Sequence, residues 1–413
     1  MRYTKNPAVD LPDFLYAKYY KIIQKSYLAI KEHLNLKTMS KRFLFALLPL
    51  AISLVVFSSC GHKMSGDDPL PTVYTPSIII GSDNQIMYAF DPMTGNKHWE
   101  MQVNAPVVSS PVLFNGVLYV TTESGTIYKL DNKTGAIKSH FSLTGPLMGT
   151  PIGNGNYIYY GTGGNAFKAI DKNVDTTVWT FNTPIPVTLS PTISNNMVIF
   201  ACGDTVYSLN KNNGSVIWEY YPTTPLGPVV FSSTPRVSAT GVFVGADDGN
   251  MYVLDLATGN LKWTFNSGAR ISDAPAVYGG NLIFGNDIGK LFCVDTLSHS
   301  QRWVVTAAQR FVSSPWAINN LVFAGSYDNN VYAYHVIDGS IKWKCPTGDI
   351  ISSSPLMYKN RLFIASFDKN LYSIDTANGN VIWKENINGA IRCSPMVDEL
   401  DGNVFYSNAT GYN

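Results

Sequence analysis

Seven of the eight tryptophans in this chain recur about every 40 residues, or at a multiple of that spacing. They are Trp99, Trp179, Trp218, Trp263, Trp303, Trp343 and Trp383. A proline keeps the same spacing, at Pro111, Pro151, Pro191, Pro235, Pro275, Pro315, Pro355 and Pro395. Self-similarity at this period indicates a repeat architecture, in which each unit buries its apolar face against its neighbours. Because the repeats fill nearly all of residues 76–408, little sequence remains for a separate catalytic domain.

One repeat, from Thr234 to Trp263, consists of short alternating apolar runs separated by Gly, Asn and Asp. Such runs predict strands joined by tight turns, and four strands per 40 residues are typical of a β-propeller blade. The first Trp block lacks its own opening strand, and the last opening lacks a Trp block. The sequence therefore predicts an all-β, eight-bladed β-propeller of four-stranded antiparallel blades, closed by its N- and C-terminal strands. Either Ser77–Gly81 or Asn403–Ser407 can supply the strand next to the closing one.

Six of the eight repeats also carry an Asp at the start of a turn, as at Asp91 with Gly95 four residues later, and Asn210 and His335 take its place in the other two. The Asp side chain can bond nearby backbone N–H groups, so these acids are interpreted as structural rather than catalytic. The repeat tryptophans are predicted to pack between neighbouring blades. Ser139 occupies that position in the second repeat, which predicts a weaker interface there, partly filled by His140 or Phe141. Trp316, which is off the period, is interpreted as a core residue.

The block from Ala89 to Trp99 resembles the tryptophan-docking motif of pyrroloquinoline-quinone-type propellers. The segments Ala333–Trp343 and Asp255–Trp263 resemble it less fully. The similarity extends over about residues 76–408. It implies the propeller fold and leaves the chemistry open, because one fold hosts many functions.

Residues 39–59 are interpreted as a lipoprotein signal. Lys41-Arg42 is followed by the apolar run Phe43–Phe57, which is too short for a comfortable membrane span. Ser58-Ser59 before Cys60 resembles the lipobox of bacterial lipoproteins, although Phe57 stands where Leu is usual. This resemblance implies cleavage before Cys60 and a lipid on its sulfur; an ordinary secretory signal or an N-terminal anchor helix is the alternative.

The signal divides the chain into four parts. Residues 1–38 are interpreted either as lying upstream of the true translation start or as disordered, because Met39 is a normal start. Residues 60–75 are predicted to be a linker and residues 76–413 the propeller. Gly61 after Cys60 favours the outer membrane under the common sorting pattern, with the periplasmic and cell-surface sides both open.

Composition excludes some partners and cofactors. The net charge is +1 and 14% of residues are charged, which argues against nucleic acid as a partner because that needs a basic footprint. Cys202 and Cys293 lie in predicted strands and are interpreted as buried thiols, whereas a Cys345–Cys393 bridge is left open. The sequence contains no Cys-x-x-Cys or His-Glu-x-x-His motif, so no metal and no cofactor is predicted.

Three functions are compatible with these features. A lipid-anchored eight-bladed propeller without appended domains resembles the BamB family, the propeller lipoproteins of the outer-membrane β-barrel assembly machinery. That resemblance implies a non-enzymatic scaffold, a monomeric ring with protein partners in the cell envelope. One alternative is a surface lipoprotein that binds glycans or another ligand. The other is a quinoprotein dehydrogenase; those enzymes carry adjacent cysteines and calcium ligands, and no two cysteines are adjacent here.

One loop breaks the repeat. The spacing from Trp to the next Pro is 12 residues in the other repeats and 17 between Trp218 and Pro235. Insertions in repeat proteins often map to the binding face, so this aromatic, proline-stiffened loop is the first candidate for partner binding. Arginines predicted on the same face complete the candidate site. Its residues are Tyr220, Tyr221, Leu226, Arg270, Arg310 and Arg392.

Overall fold

The computed structural model describes residues 76–143, 145–147, 149–223, 227–399 and 404–406. The predicted signal, Cys60 and the linker lie outside these residues. Within the described ranges the chain forms 33 β-strands, arranged as eight sheets around a ring. Among the described residues, no helix is long and apolar enough to cross a membrane. The predicted eight-bladed propeller is confirmed.

Blades are numbered from the first Trp block, and each has strands A to D from the channel outward. Blade 1 consists of β32 (Met396–Asp398), β1 (Ser77–Gly81), β2 (Ile86–Phe90) and β3 (Lys97–Gln102). Blade 2 consists of β4 (Val112–Phe114), β5 (Val117–Thr121), β6 (Thr126–Asp131) and β7 (Ile137–Ser142). Blade 3 consists of β8 (Ile152–Asn154), β9 (Tyr157–Thr162), β10 (Ala166–Asp171) and β11 (Thr176–Asn182). Blade 4 consists of β12 (Thr192–Ser194), β13 (Met197–Cys202), β14 (Thr205–Asn210) and β15 (Val216–Tyr220).

The other four blades follow the same order. Blade 5 consists of β16 (Arg236–Ser238), β17 (Gly241–Gly245), β18 (Asn250–Leu254) and β19 (Leu261–Asn266). Blade 6 consists of β20 (Ala276–Tyr278), β21 (Asn281–Gly285), β22 (Lys290–Asp295) and β23 (Gln301–Thr306). Blade 7 consists of β24 (Trp316–Ile318), β25 (Leu321–Gly325), β26 (Asn330–His335) and β27 (Ile341–Pro346). Blade 8 consists of β28 (Leu356–Tyr358), β29 (Arg361–Ala365), β30 (Asn370–Asp375) and β31 (Val381–Asn386).

Blade 1 joins the two ends of the described chain. Its strand A, β32, pairs antiparallel with β1, with Ile78 opposite Val397. The sequence left two candidates for the strand beside β32, and β1 takes that place. The last described strand, β33 (Val404–Tyr406), pairs instead with the inner edge of β32, with Met396 opposite Tyr406. Because β32 is the innermost strand of the blade, β33 lies inside the central channel.

The burial of each strand follows from its place in the blade. Strands B and C are apolar on both faces because neighbouring blades cover both, as in β17, where every residue is buried. The outermost strand alternates, as in β27, because one face packs on the next blade and the other meets water. Most of the core therefore lies in clusters between blades; one of them joins Trp343 of blade 7 to Ile364 and Tyr372 of blade 8.

The repeat tryptophans bridge the blades, as the sequence predicts. Trp343 donates its Nε1–H to the Thr376 carbonyl of blade 8 at 3.0 Å, and its ring lies against Gly379. A Cβ added at Gly379 would lie 2.7 Å from the indole, so the turn needs glycine there for space as well as for its φ of +78°. Trp383 makes the equivalent bond to the Pro92 carbonyl at 3.3 Å and so closes the ring. In blade 5, Trp263 stacks on His299, which replaces the glycine, with ring centroids 4.5 Å apart.

The interface between blades 2 and 3 is built differently. Lys129 lies opposite Ser139 across the strand pair, at the place where other blades have a small residue opposite the tryptophan. Its ammonium group donates to the Lys172 carbonyl at 2.7 Å, which is the carbonyl that a tryptophan would bond. It also pairs with the Asp175 carboxylate, and Asp175 stands where other turns have glycine. The expected filling by His140 is wrong, because His140 is exposed and the buried Lys129 occupies the place of the tryptophan. Phe141 is partly buried and does pack against the cluster between blades 2 and 3.

Replacing Lys129 with alanine is expected to lower the free energy of unfolding by about 1–3 kcal/mol, because it leaves the partly buried Asp175 carboxylate without its cation. The measurement is urea unfolding of the single variant and of the same change in an Asp175→Gly background. With Asp175 already removed, the loss should shrink. An equal loss in both backgrounds would show that the ion pair does not stabilise this interface.

The cysteines and Trp316 are placed as follows. Cys202 and Cys293 are buried strand thiols, as predicted, and all four cysteines in the described ranges are free. The Cys345–Cys393 bridge therefore does not form. Cys393 instead shares hydrogen bonds with the backbone N–H and carbonyl of Gly81, both at 3.3 Å. Trp316 is partly buried and packs against the core clusters on both sides of blade 8, so it borders the core.

Candidate functional site

The B–C turns and the D–A connections between blades lie on one face of the ring, called here the loop face. Backbone hydrogen bonds join them. The Asp287 N–H donates to the Arg270 carbonyl at 2.9 Å, and the Tyr327 N–H donates to the Arg310 carbonyl at 3.0 Å. The A–B and C–D turns lie on the opposite side, called the hairpin face.

The long connection between blades 4 and 5, which lies within the 17-residue spacing from Trp218 to Pro235, has a fixed base and an exposed part. Phe231 is buried at 2% exposure, and its ring centroid lies 5.4 Å from that of Tyr252 in blade 5. Tyr220 packs against the same rings and is half-buried. Tyr221 is 58% exposed and Val230 is 43% exposed. Leu226 lies outside the described residues. The base is thus part of the blade core, and the Tyr221 side chain projects from it.

The structure separates the three candidate arginines into two places. Arg270 and Arg310 are exposed at equivalent positions in the next two connections, between blades 5 and 6 and between blades 6 and 7. The guanidinium of Arg310 lies 4.2 Å from the centroid of the Tyr327 ring. Together with Tyr221 they form an arc over three successive connections. Arg392 lies instead at the channel mouth.

Arg392 is held by Asp83, whose Oδ2 lies 3.0 Å from the arginine Nε. Burial raises the pKa of Asp83, and the guanidinium of Arg392 opposes this rise by a smaller amount. Arg392 lines a cavity of about 210 Å³ on the channel axis. This arrangement places one ion pair at the rim of the channel on the loop face.

A belt of hydroxyl groups encircles that cavity. It is formed by the residue before each repeat proline, and its members are Ser110, Thr150, Ser190, Thr234, Ser314, Ser354 and Ser394, with Ala274 at the eighth place. The backbone N–H of one member donates to the hydroxyl of the next, as from Ser110 to Thr150 at 3.1 Å and from Ser354 to Ser394 at 2.9 Å. The Ser394 N–H donates to the Ser110 hydroxyl at 3.0 Å, which continues this series across the chain ends, whereas Ala274 interrupts it because it has no hydroxyl. The belt therefore joins neighbouring blades and also makes the channel wall polar.

Asp273 is a site residue that the sequence analysis missed. At its place in other repeats, Ser313 and Ser353 each accept a backbone N–H and donate to the carbonyl of the same residue, Gly325 and Ala365 respectively. Asp273 is 3% exposed, and neither carboxyl oxygen has a hydrogen-bond partner among the residues described. Burial raises the pKa of Asp273 well above its ordinary value, and nearby backbone N–H groups, including that of Gly285, oppose this by less. Aligning the repeats would have shown an acid where most copies carry a small residue.

The last described strand, β33, lies in the channel against the innermost strand of blade 1. The Tyr406 hydroxyl donates to the Leu113 carbonyl at 3.0 Å and accepts the Leu113 N–H at 2.9 Å. Burial raises the pKa of the Tyr406 hydroxyl, so it remains neutral. Strand β33 is thus fastened to blades 1 and 2 inside the channel.

The donors around the cavity do not fit calcium with a quinone cofactor. Calcium takes six to eight oxygen ligands, and carboxylates usually supply several of them. The cavity lining contains one carboxyl group, Asp273, beside the cation Arg392. Across the described ranges, no three His, Cys, Asp or Glu side chains lie close enough together to hold a metal ion.

The sequence profile of the family described as outer membrane protein assembly factor BamB matches residues 61–145, 82–225, 125–345 and 247–411. The chain belongs to the BamB family. The resemblance drawn from the Trp blocks is therefore confirmed. No curated protein matches the sequence significantly.

Solved structures similar to this BamB-family chain include BamB from Moraxella catarrhalis, with a TM-score of 0.61 and 19% identity over 73% of this chain and 97% of that one. The quinohemoprotein alcohol dehydrogenase ADHIIG from Pseudomonas putida HK5 has a TM-score of 0.62 and 12% identity, over 82% of this chain and 74% of that one. The computationally designed protein Ika8 has a TM-score of 0.61 and 15% identity, over 72% of this chain and 95% of that one. At these identities the likeness shows the fold alone, and the fold is shared by a dehydrogenase and a designed protein.

Proposed function

We propose that this BamB-family protein is a non-enzymatic scaffold of the cell envelope, anchored to the outer membrane by a lipid on Cys60. In this proposal a monomeric ring docks a protein partner on its loop face and assists the assembly of outer-membrane β-barrels. Family membership supports the general role. The poor fit of the channel donors to calcium and a quinone supports a scaffold over a dehydrogenase.

The observation that carries the proposal is the arc of Tyr221, Arg270 and Arg310 over three successive connections. Tyrosine and arginine are enriched among the residues that dominate binding energy at protein interfaces. The Tyr221 backbone follows directly on Tyr220, which packs in the core, so ordering this ring on binding should cost little entropy. A partner that covers the arc would contact exposed side chains without rearranging a blade.

The test is affinity capture of the lipidated protein from gently solubilised membranes, with partners identified by mass spectrometry. One variant deletes residues 222–226, which restores the 12-residue spacing and keeps the buried Phe231. A second combines Tyr221→Ala with Arg310→Ala. We expect the unmodified protein to recover the β-barrel insertase and both variants to lose most of it.

Asn173→Ala is the matched control, because the Asn173 side chain is exposed on the hairpin face, away from the arc. It should recover the insertase like the unmodified protein. If the deletion and the double substitution also retained the partner, the arc would not be the docking site. If no insertase were recovered in any form, the proposed role in barrel assembly would fail.

Glycan binding is the second candidate, and the exposed ring of Tyr221 is the observation that favours it. Sugars stack on exposed aromatic faces, and among the described Phe, Tyr and Trp side chains Tyr221 alone is largely exposed, at 58%. A glycan array probed with the soluble ring tests this candidate. Binding that disappears in Tyr221→Ala, together with no captured insertase, would favour glycan binding over the scaffold.

A further inference from the structure

The hairpin face carries exposed apolar side chains on every blade of the ring. They lie in the C–D turns or at the first residue of strand D, and their exposures range from 38% to 83%. The set is Met93, Ile137, Val174, Val216, Leu261, Leu297, Ile337, Ile341 and Val381. Scattered single apolar residues are common on protein surfaces, but here they recur in every repeat on one face. We call this set the apolar rim.

The two most exposed members are held rigidly. Leu297 is 83% exposed and Ile337 is 81% exposed, at equivalent turn positions in the neighbouring blades 6 and 7. Asp295 fixes the first turn by accepting the Leu297 N–H at 2.8 Å, and the stack of His299 on Trp263 supports the same turn. In the second turn, Trp303 donates to the Val336 carbonyl at 2.7 Å. These contacts hold the backbone and leave the two apolar side chains projecting into solvent.

The described chain also begins on this face. Strand β1 leads into the turn at Asp83, whose N–H donates to the Ala390 carbonyl on the loop face at 2.9 Å. The opposite end of β1, at Ser77, therefore lies on the hairpin face. Cys60, the predicted lipid attachment, precedes Ser77 by 17 residues. At about 3.5 Å per residue, that segment reaches no more than about 60 Å from the face.

We propose that the hairpin face rests on the surface of a lipid bilayer, with the apolar rim at the headgroup boundary. This inference depends on the lipid anchor of the proposed function and is independent of the protein partner. A rim that runs around the whole ring matches an extended flat surface better than a peptide, which needs a groove. Surface binding grows with the apolar area buried, so the rim would act as a second contact beside the anchor. It would also turn the loop face away from the membrane, toward a partner.

The same hairpins carry charges of both signs. Lys262 and Lys342 are exposed at equivalent positions in the outer strands of blades 5 and 7, directly beside Leu261 and Ile341. The carboxylates of Asp255 and Asp338 lie in the turns that precede them. The observation that carries the inference is therefore the apolar rim, and the charge of this face does not select a lipid headgroup.

The test uses the full lipidated protein inserted into vesicles of phosphatidylethanolamine and phosphatidylglycerol, with no other protein present. Ser298→Cys, beside Leu297, receives an NBD fluorophore, and Ser124→Cys on the loop face is the matched control. The native thiols should not compete, because Cys202, Cys293, Cys345 and Cys393 are buried. Burial also raises the pKa of Cys293 and of Cys393 to about 12. We expect NBD emission at residue 298 to shift to the blue and strengthen, and emission at residue 124 to stay at its aqueous wavelength.

A second variant combines Leu297→Ser with Ile337→Ser in the protein labelled at residue 298. It should still float with the vesicles through its anchor but should lose the blue shift. Protein that floats while the label at residue 298 remains in water would overturn the inference and leave the scaffold proposal intact. Protein that does not float at all would remove the lipid anchor, and with it both the inference and the anchored form of the proposed function.

Discussion

Replacing Trp343 with alanine is expected to lower the free energy of unfolding by about 3–5 kcal/mol, the usual cost of truncating a buried aromatic side chain. Trp343 is 7% exposed and packs in the cluster that joins blades 7 and 8. Its removal would empty the space over Gly379 and leave the Thr376 carbonyl without the indole N–H. The loss therefore combines a cavity with an unmade buried hydrogen bond.

Two companion variants separate these effects in urea unfolding. Trp343→Phe keeps most of the apolar area and removes the N–H, so its loss should be the smaller one, about 1–3 kcal/mol. Ile341→Ala in the same strand is the control, because Ile341 is 55% exposed. It should change stability by no more than about 0.5 kcal/mol. A Trp343→Ala variant as stable as the control would show that this tryptophan does not hold the two blades together.

The period of the tryptophans and prolines was sufficient to predict the blades, their number and the interblade place of the indole rings. It succeeds because each repeat buries its faces only against neighbouring repeats, so the same residue types must recur at the same positions. The turn acids were predictable for a similar local reason. Asp91 accepts the N–H groups of Met93 and Thr94 at 2.8 Å, within its own turn.

The repeat period does not predict a contact in which a residue of one strand replaces a residue of the neighbouring strand. Lys129 replaces a tryptophan from the neighbouring strand, opposite Ser139, so reading the Trp position alone shows only a gap. A strand at Asn403–Ser407 was predicted, and the place of this channel strand, β33, was left open for a different reason. Its three residues fit the pattern of an ordinary blade strand, and only the pairing of β1 with β32 moves it to the inner edge.

The candidate site was predictable only in part. The face and the arc of Tyr221, Arg270 and Arg310 follow from the repeat order. Arg392 lies three residues before its repeat proline, not five, at the position whose counterparts Ser272, Val312 and Ser352 also line the channel cavity. Whether a ring such as Tyr220 is buried or exposed depends on rings from another blade, here that of Tyr252. Sequence spacing does not report such contacts.

Replacing Asp273 with serine is the second change expected to have a large effect, and we expect it to stabilise the protein at neutral and alkaline pH. At the equivalent position in two other repeats, the hydroxyls of Ser313 and Ser353 each donate a hydrogen bond to, and accept one from, the backbone of a single residue. A carboxylate can only accept, whereas a neutral carboxylic acid can do both. Burial favours the protonated form of Asp273 because it removes water from the charged carboxylate, and its neighbour Asp287 raises the pKa of Asp273 further. Removing a buried carboxyl that has no partner should gain about 1–3 kcal/mol at pH 8.

The sign of the pH dependence follows from that raised pKa. At pH values between the ordinary Asp pKa of 3.8 and the raised pKa of Asp273 in the folded protein, the folded state binds a proton that the unfolded chain has lost. The free energy of unfolding must therefore fall as the pH rises through this window, by about 1.4 kcal/mol per pH unit for one group. Asp273→Ser should remove this slope, so the variant should match the unmodified protein near pH 3.5 and exceed it increasingly at higher pH. The converse change, Ser353→Asp, should introduce the same slope at a second place on the channel wall. Urea unfolding from pH 3.5 to pH 9 measures both, and parallel pH profiles for the variants and the unmodified protein would show that Asp273 is not held neutral by burial.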